Sequence, residues 1–321
     1  MIDNPADPLD RICNGHLVAD ISRWAVDACR LGELTHFEIN YVGYDDCNLL
    51  LATTTGDYFA KVFTAARSDE MCQRYVGVLD AVVRAGIAHP RLRPSGGGQL
   101  LLTHEASGNH LVVMDAVRGS TFFDLGAYPA DADLRCVMDQ VHRIHALDIE
   151  PPEVYDWWAI PRIVSLGEEM LPRLPGPDRP YVRDAMTAFA GLDRKALPLV
   201  FSHGDLTKTN VMRNIGGGIS IIDFAVSNRY PRVHDLAMVS VNLMDGHPLP
   251  VRQRTLRLTE RYSRVAALTA QEMAALPVYV FAAAAMELLG AYREWLVKGN
   301  RSAETRYLLD LGRRTVRAAA I

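Results

Sequence analysis

Residues 199–225, LVFSHGDLTKTNVMRNIGGGISIIDFA, constrain this chain more than any other stretch. Two short apolar runs, 199–202 and 219–224, lie on either side of a turn at Gly216, Gly217 and Gly218, which is how a strand pair reads. His203, Gly204 and Asp205 precede the turn, Asn210 follows Asp205 by five residues, and Asp223 ends the apolar run 219–222. A carboxylate can take the proton of an attacking hydroxyl, while a carboxamide and a second carboxylate offer oxygen ligands to a hard cation. Asp205, Asn210 and Asp223 are therefore candidates for a magnesium–phosphate site.

These residues resemble the catalytic core of the aminoglycoside phosphotransferase/choline kinase-like family, relatives of the protein kinases that include homoserine kinase-like small-molecule kinases. The shared template has a catalytic-loop aspartate, an asparagine five residues on, and a metal-binding aspartate on a later strand. Asp205, Asn210 and Asp223 fill those places. The small-molecule branch typically shows HGD where protein kinases show HRD, and Phe224 is here followed by Ala225 instead of the glycine of a DFG triplet. The resemblance implies an α+β, bilobal protein kinase-like fold, with a small antiparallel-sheet N-lobe and a larger, mostly helical C-lobe. It implies ATP and Mg²⁺ as cofactors.

At 321 residues and 49% hydrophobic, the chain is long enough to bury a core in each of two lobes. We expect a nucleotide-binding lobe over 1–115 and a catalytic and acceptor-binding lobe over 116–321. The first holds 15 acidic and 9 basic residues and the second 23 and 25, giving the net charge of −4. No basic surface advertises nucleic-acid binding. Five scattered cysteines without a CxxC pair suit reduced thiols, the N-terminus lacks a signal-peptide h-region, and no apolar run reaches the roughly 18 residues of a membrane span. The expectation is a cytoplasmic protein without membrane partners; nothing in the sequence speaks to its oligomeric state.

Periodicity predicts a leading helix over 8–31, strands over 37–42, 47–54 and 58–63 with a turn at 55–57, a helix over 68–84, and strands over 99–103 and 110–114. Residues 134–147 read as an amphipathic helix whose His142 and His145 are packed imidazoles. An irregular Pro-rich stretch, 151–180, contains a short helix near 162–170. Further helices are expected over 182–192, 235–245, 252–267, 270–297 (with Pro277 as a point where it can split) and 303–320.

Lys61 shares one strand face with Phe59 and Phe63, costly for a lysine unless it is paired or lies in a cleft. By resemblance it binds the ATP α- and β-phosphates; an edge-strand lysine reaching water is the structural alternative. The family holds this lysine with an acid on the following helix. Mid-helix, where the acid is expected, this chain has Arg74 and Tyr75, which leaves Glu70 as the candidate. Residues 42–48, ending at Asn48, would form the nucleotide loop, with one glycine and no GxGxxG; a plain turn reads almost as well. The hinge would be 114–119, where Asp115 and Val117 contribute main-chain atoms to adenine. Asp235 resembles the family's buried structural aspartate, and His203 reads as a loop-fixing hydrogen-bonder.

The expected reaction is ATP- and Mg²⁺-dependent transfer of the γ-phosphoryl group to a hydroxyl of a small molecule. The alternative is a nucleotide-binding pseudoenzyme or interaction module, usually marked by a lost catalytic aspartate or metal ligand; neither is lost here. A hydrolase built on Ser202, His203 and Asp205 would lack the GxSxG elbow. For the acceptor, residues 148–170 hold six acids against one base, together with Tyr155, Trp157 and Trp158. Carboxylates such as Asp156, with the faces of Trp157 and Trp158, suit an amine-bearing or sugar-like acceptor.

Overall fold

The structure, a computed structural model, describes residues 7–321, and every element named is among them. The chain divides into two compact units, one ending at Arg118 and the other spanning Gly119–Ile321.

In the first unit, β1 (Leu34–Asn40), β2 (Cys47–Thr53), β3 (Gly56–Val62), β4 (Leu102–His104) and β5 (Asn109–Asp115) pair antiparallel in the order β1-β2-β3-β5-β4. Strand alternation sorts their side chains onto two faces. Cys47, Leu49 and Leu51 of β2 oppose Val62, Ala60 and Tyr58 of β3, and with Leu111 and Val113 of β5 they bury one face. Ile21, Ala25 and Val26 of α1 (Val18–Ala28) join that core. Asn48, Lys61 and Val112 stand in register across β2, β3 and β5. Lys61 is thus on an internal strand, not at an edge. α2 (Asp69–Arg84) packs against β5, its start capped by the Ser68 hydroxyl accepting from Met71 N–H.

Two expectations for this unit are corrected. The single leading helix is instead two 3-10 turns, Pro8–Arg11 and Gly15–Leu17, followed by α1. The break falls where Asn14 adopts a left-handed conformation, φ 49°, which a helix cannot contain. The β2–β3 turn is Thr54–Thr55, with Gly56 already paired to Thr53.

In the second unit, β6 (Gly119–Thr121), β8 (Val211–Asn214) and β9 (Ile219–Ile221) form one small sheet, and β7 (Leu199–Ser202) pairs with β10 (Asn228–Pro231). The two apolar runs read as a pair are therefore not partners. The glycine turn is short enough to close only its immediate neighbours, so it joins β8 to β9, leaving residues 203–210 as a loop between β7 and β8. Around these lie α3 (Asp131–His145), α4 (Ile163–Met170), α5 (Arg179–Ala190), α6 (Val233–Met238) running into a π-helical turn (Val239–Leu243), α7 (Val251–Tyr262), α8 (Ala270–Leu296) and α9 (Ala303–Ala319).

The pillar of this unit is α8. It begins at a capping box, Thr269 with Glu272, and packs against α4, α5, α6 and α9. Pro277 lies inside it, yet the helix is unbroken. By length and composition α8 could cross a membrane, unlike the expectation of no such run, but 78% of its apolar window is buried within the protein. Gly290 lets Trp158 rest on the helix: a Cβ there would lie 2.1 Å from the indole ring. Gly290→Val should therefore cost about 1–3 kcal/mol by overpacking. Urea unfolding checks this, and an unchanged midpoint would show that Trp158 moves aside freely.

Candidate active site

The loop between β7 and β8 is held by one carboxylate. Asp235, fully buried in α6, accepts from His203 N–H through Oδ2 and from Gly204 N–H through Oδ1, both at 2.9 Å. His145, on α3, donates from Nε2 to the same Oδ2 at 3.0 Å, and its Nδ1 bonds the Tyr262 hydroxyl at 2.8 Å. Burial alone would raise the Asp235 pKa, but the hydrogen bond and charge of His145 outweigh it and hold the group at about 2. His203 spends its ring on the loop: Nε2 donates to the Ile222 carbonyl at 3.0 Å and Nδ1 accepts from Asp205 N–H at 3.2 Å. Burial lowers its pKa, which suits that neutral role. Gly204 has φ +87°, and a Cβ would stand 2.9 Å from the Val226 carbonyl oxygen, so glycine is required between His203 and Asp205.

The loop so fixed presents Asp205. Its Oδ2 accepts from Asn210 Nδ2 at 2.6 Å, and the same Nδ2 reaches the Asp205 carbonyl at 3.0 Å. The Asp205 pKa is raised well above the carboxylate range, first by burial and then by the charges of Glu287, Asp156 and Asp223; the Asn210 hydrogen bond opposes this. Asn210 is itself set by backbone bonds, its N–H to Thr207 O and its carbonyl from Ile222 N–H. With Nδ2 committed to Asp205, the amide oxygen is the atom left to meet a cation. Asp223 follows β9 with φ 64°, a left-handed conformation uncommon outside glycine but tolerated by Asp. Among the described residues no group of three or more His, Cys, Asp and Glu is placed to hold a metal ion. Magnesium does not need one, because it keeps waters and takes substrate phosphates beside one or two protein oxygens. Asn210 and Asp223 fit that requirement.

Behind the loop is a second tie that the sequence did not suggest. Asn242, in the π-helical turn, accepts from Lys208 N–H at 3.0 Å and donates to Glu287 Oε1 on α8 at 2.8 Å. π-turns recur at functional sites. Burial pushes the Glu287 pKa up to about 7, against the Asn242 hydrogen bond. Glu287 was hidden within the alanine-rich run of α8; an acid in such a run is the signal that could have found it.

On the first unit, Lys61 is 6% exposed and its Nζ lies 3.4 Å from Asp46 Oδ2. Glu70, the acid expected there, is exposed in the first turn of α2. The partner comes from the loop before β2 instead of from the helix. Asn48, opposite Lys61, donates to the Val42 carbonyl at 3.4 Å. The Asp115 carboxylate pairs with Arg93 and its N–H donates to the Arg91 carbonyl; Asp115 ends β5 and Val117 follows two residues on.

Of the acceptor candidates, Asp156 is buried and accepts from Trp158 N–H at 2.8 Å. Trp157 lies against Trp158, ring centroids 4.6 Å apart and planes tilted by 37°, and carries the Arg293 guanidinium 4.8 Å and Lys298 Nζ 5.3 Å from its ring centroid. Both indoles thus pack within the chain, Trp158 on Gly290 and Trp157 under two cations of α8 and its end.

Residues 38–270 match the phosphotransferase enzyme family. Among solved structures, a choline/ethanolamine kinase family protein from Mesorhizobium loti superposes with TM-score 0.66 at 15% identity, over 94% of each chain. A spectinomycin phosphotransferase in complex with ADP and spectinomycin gives TM-score 0.67 at 10% identity, over 90% of this chain and 93% of that one. An amicoumacin kinase in complex with AMP-PNP, Ca²⁺ and Ami gives 0.64 at 14%, over 93% and 92%. At these identities the likeness is one of fold, and that fold is protein kinase-like.

Glu287 supplies a pH test of the site's electrostatics. Its folded pKa of about 7 exceeds the ordinary 4.5, so the folded state holds a proton that the unfolded chain has released. The sign follows: Glu287 makes stability fall as pH rises from about 4.5 to 7. Glu287→Gln keeps an acceptor for Asn242 and should flatten that fall, raising the melting temperature at pH 8. A pH–Tm profile parallel to wild type would contradict the assignment.

Proposed function

The chain belongs to the phosphotransferase enzyme family, and we propose that its reaction is ATP- and Mg²⁺-dependent transfer of the γ-phosphoryl group to a hydroxyl of an amine-bearing or sugar-like small molecule. The observation that carries this reading is the loop geometry, in which Asp205 is fixed by Asn210 and the loop backbone by Asp235.

Asp205 accepts the proton of the acceptor hydroxyl as its oxygen bonds the γ-phosphorus and the bond to the ADP oxygen breaks. Its raised pKa makes it a stronger base once ionised, and it must be ionised to act. Asn210 and Asp223 would hold the cation, which when bound neutralises phosphate charge and draws the Asp205 pKa back down. Lys61 offers its ammonium to the nucleotide phosphates, and the backbone of Asp115 and Val117 receives the adenine. The acceptor class rests on Asp156 and Glu287, whose charges act at Asp205 and would favour an ammonium group there. Trp157 and Trp158 enter as the packing that holds Asp156 in place.

The test is an ADP-release assay over a panel of amino alcohols, amino sugars and hydroxylated antibiotics. Asp205→Asn should lower kcat at least about 10²-fold, with ATP affinity little changed. In wild type, kcat/KM for ATP, which reports the free enzyme, should fall on the acid side through an ionisation above the usual carboxylate range. Near-normal turnover in Asp205→Asn would end this assignment.

A further inference from the structure

Every acid of α2 is engaged or displaced away from Lys61. Asp69 bonds His110 Nε2 at 2.9 Å, Asp80 pairs with Arg84 at 2.9 Å, and Glu70 is exposed. Where an acid would reach the lysine, α2 presents Tyr75, 1% exposed, with Lys61 Nζ 5.5 Å from its ring centroid. An aromatic face attracts an ammonium but does not neutralise it. A buried lysine still needs a counter-charge.

Asp46 supplies it. The residue is 3% exposed and stands two before Asn48, so strand alternation turns it toward the side where Asn48 opposes Lys61. Its Oδ2 meets Lys61 Nζ at 3.4 Å and an Arg67 guanidinium nitrogen at 3.1 Å, while Oδ1 accepts from Thr64 N–H at 3.0 Å. Its backbone is fixed as well: Arg11 donates to the carbonyls of Gly43 and Asp46 at 3.0 and 3.2 Å. One carboxylate thus faces two cations, Lys61 and Arg67, where a lysine–glutamate pair would hold one. Arg67 Nε, buried, has no hydrogen-bond partner among the described residues.

We propose that Asp46 is the positioning residue for the nucleotide lysine, replacing an acid on the helix, and that Arg67 is a second cation held on the same carboxylate for the nucleotide phosphates. This rests on the phosphotransfer reading above. The consequence is that the lysine is oriented by the phosphate loop itself, so that loop order and lysine position are one variable.

Two measurements separate the outcomes. Lys61 is one of four lysines, so its ¹⁵N ammonium signal can be assigned by substitution. Asp46→Asn should shift that signal and Glu70→Gln should leave it, whether or not the protein is a kinase; the reverse pattern overturns the proposal. In steady-state kinetics, Asp46→Asn should lower kcat/KM for ATP at least about 10-fold, but less than about 2-fold further when Lys61 is already Met. Asp46→Glu should recover part of the loss, and Arg67→Met should lower ATP affinity with acceptor KM unchanged. An equal cost of Asp46→Asn in both backgrounds would mark the residue as merely structural and overturn the proposal. Absence of ATP-dependent transfer in wild type would instead fail the phosphotransfer reading, with the ammonium spectrum still deciding the pairing.

Discussion

The second unit depends on the buried carboxylate of Asp235. Three donors converge on it, two from the backbone of the loop before Asp205 and one from His145. Exposed ion pairs contribute about 0–1 kcal/mol, whereas removing one partner from a buried pair costs about 3–5 kcal/mol. Of the charges around this loop, Asp235 is therefore the one it cannot lose. Because the bonds go to backbone amides, the carboxylate fixes where Asp205 stands and not merely that the loop is ordered. His145 then ties α3, and through Tyr262 also α7, to the same point.

That rigidity permits an otherwise costly cluster. Burial first, and then the charges of Glu287, Asp156 and Asp223, oppose the ionisation of Asp205. Without the framework, carboxylates so placed would relax apart or toward water. Held in place, they invite positive charge, whether a divalent cation at Asn210 and Asp223 or an ammonium group near Asp156 and Glu287. In the first unit the arrangement is the converse, one carboxylate, Asp46, shared by the cations Lys61 and Arg67.

The sequence was most legible where chemistry demands fixed spacing. The loop's Asp205–Asn210 pair is local, five residues apart, and its hydrogen bond follows from that spacing. Strong alternation and caps likewise placed β2, β3 and α2. Legibility failed where partners are distant or elements are short. β8 and β10 are four residues each and largely polar, so their apolar neighbours were paired wrongly. Asp46 and Glu287 were missed because each meets its partner only through tertiary register. The substitution of Tyr75 for a helix acid was visible, but the sequence offered no geometry to say where the replacement stood.

Transfer of a phosphoryl group from ATP to an alcohol, as proposed for this chain, can be followed on the phosphorus itself. The most direct measurement is ³¹P NMR of protein with ATP, Mg²⁺ and a panel of amino alcohols and amino sugars. The predicted result is loss of the γ-phosphate signal matched one for one by a new phosphomonoester signal, with ADP left behind, halted by EDTA. Phosphorus ending as inorganic phosphate, or transfer that continues undiminished in EDTA, would contradict it.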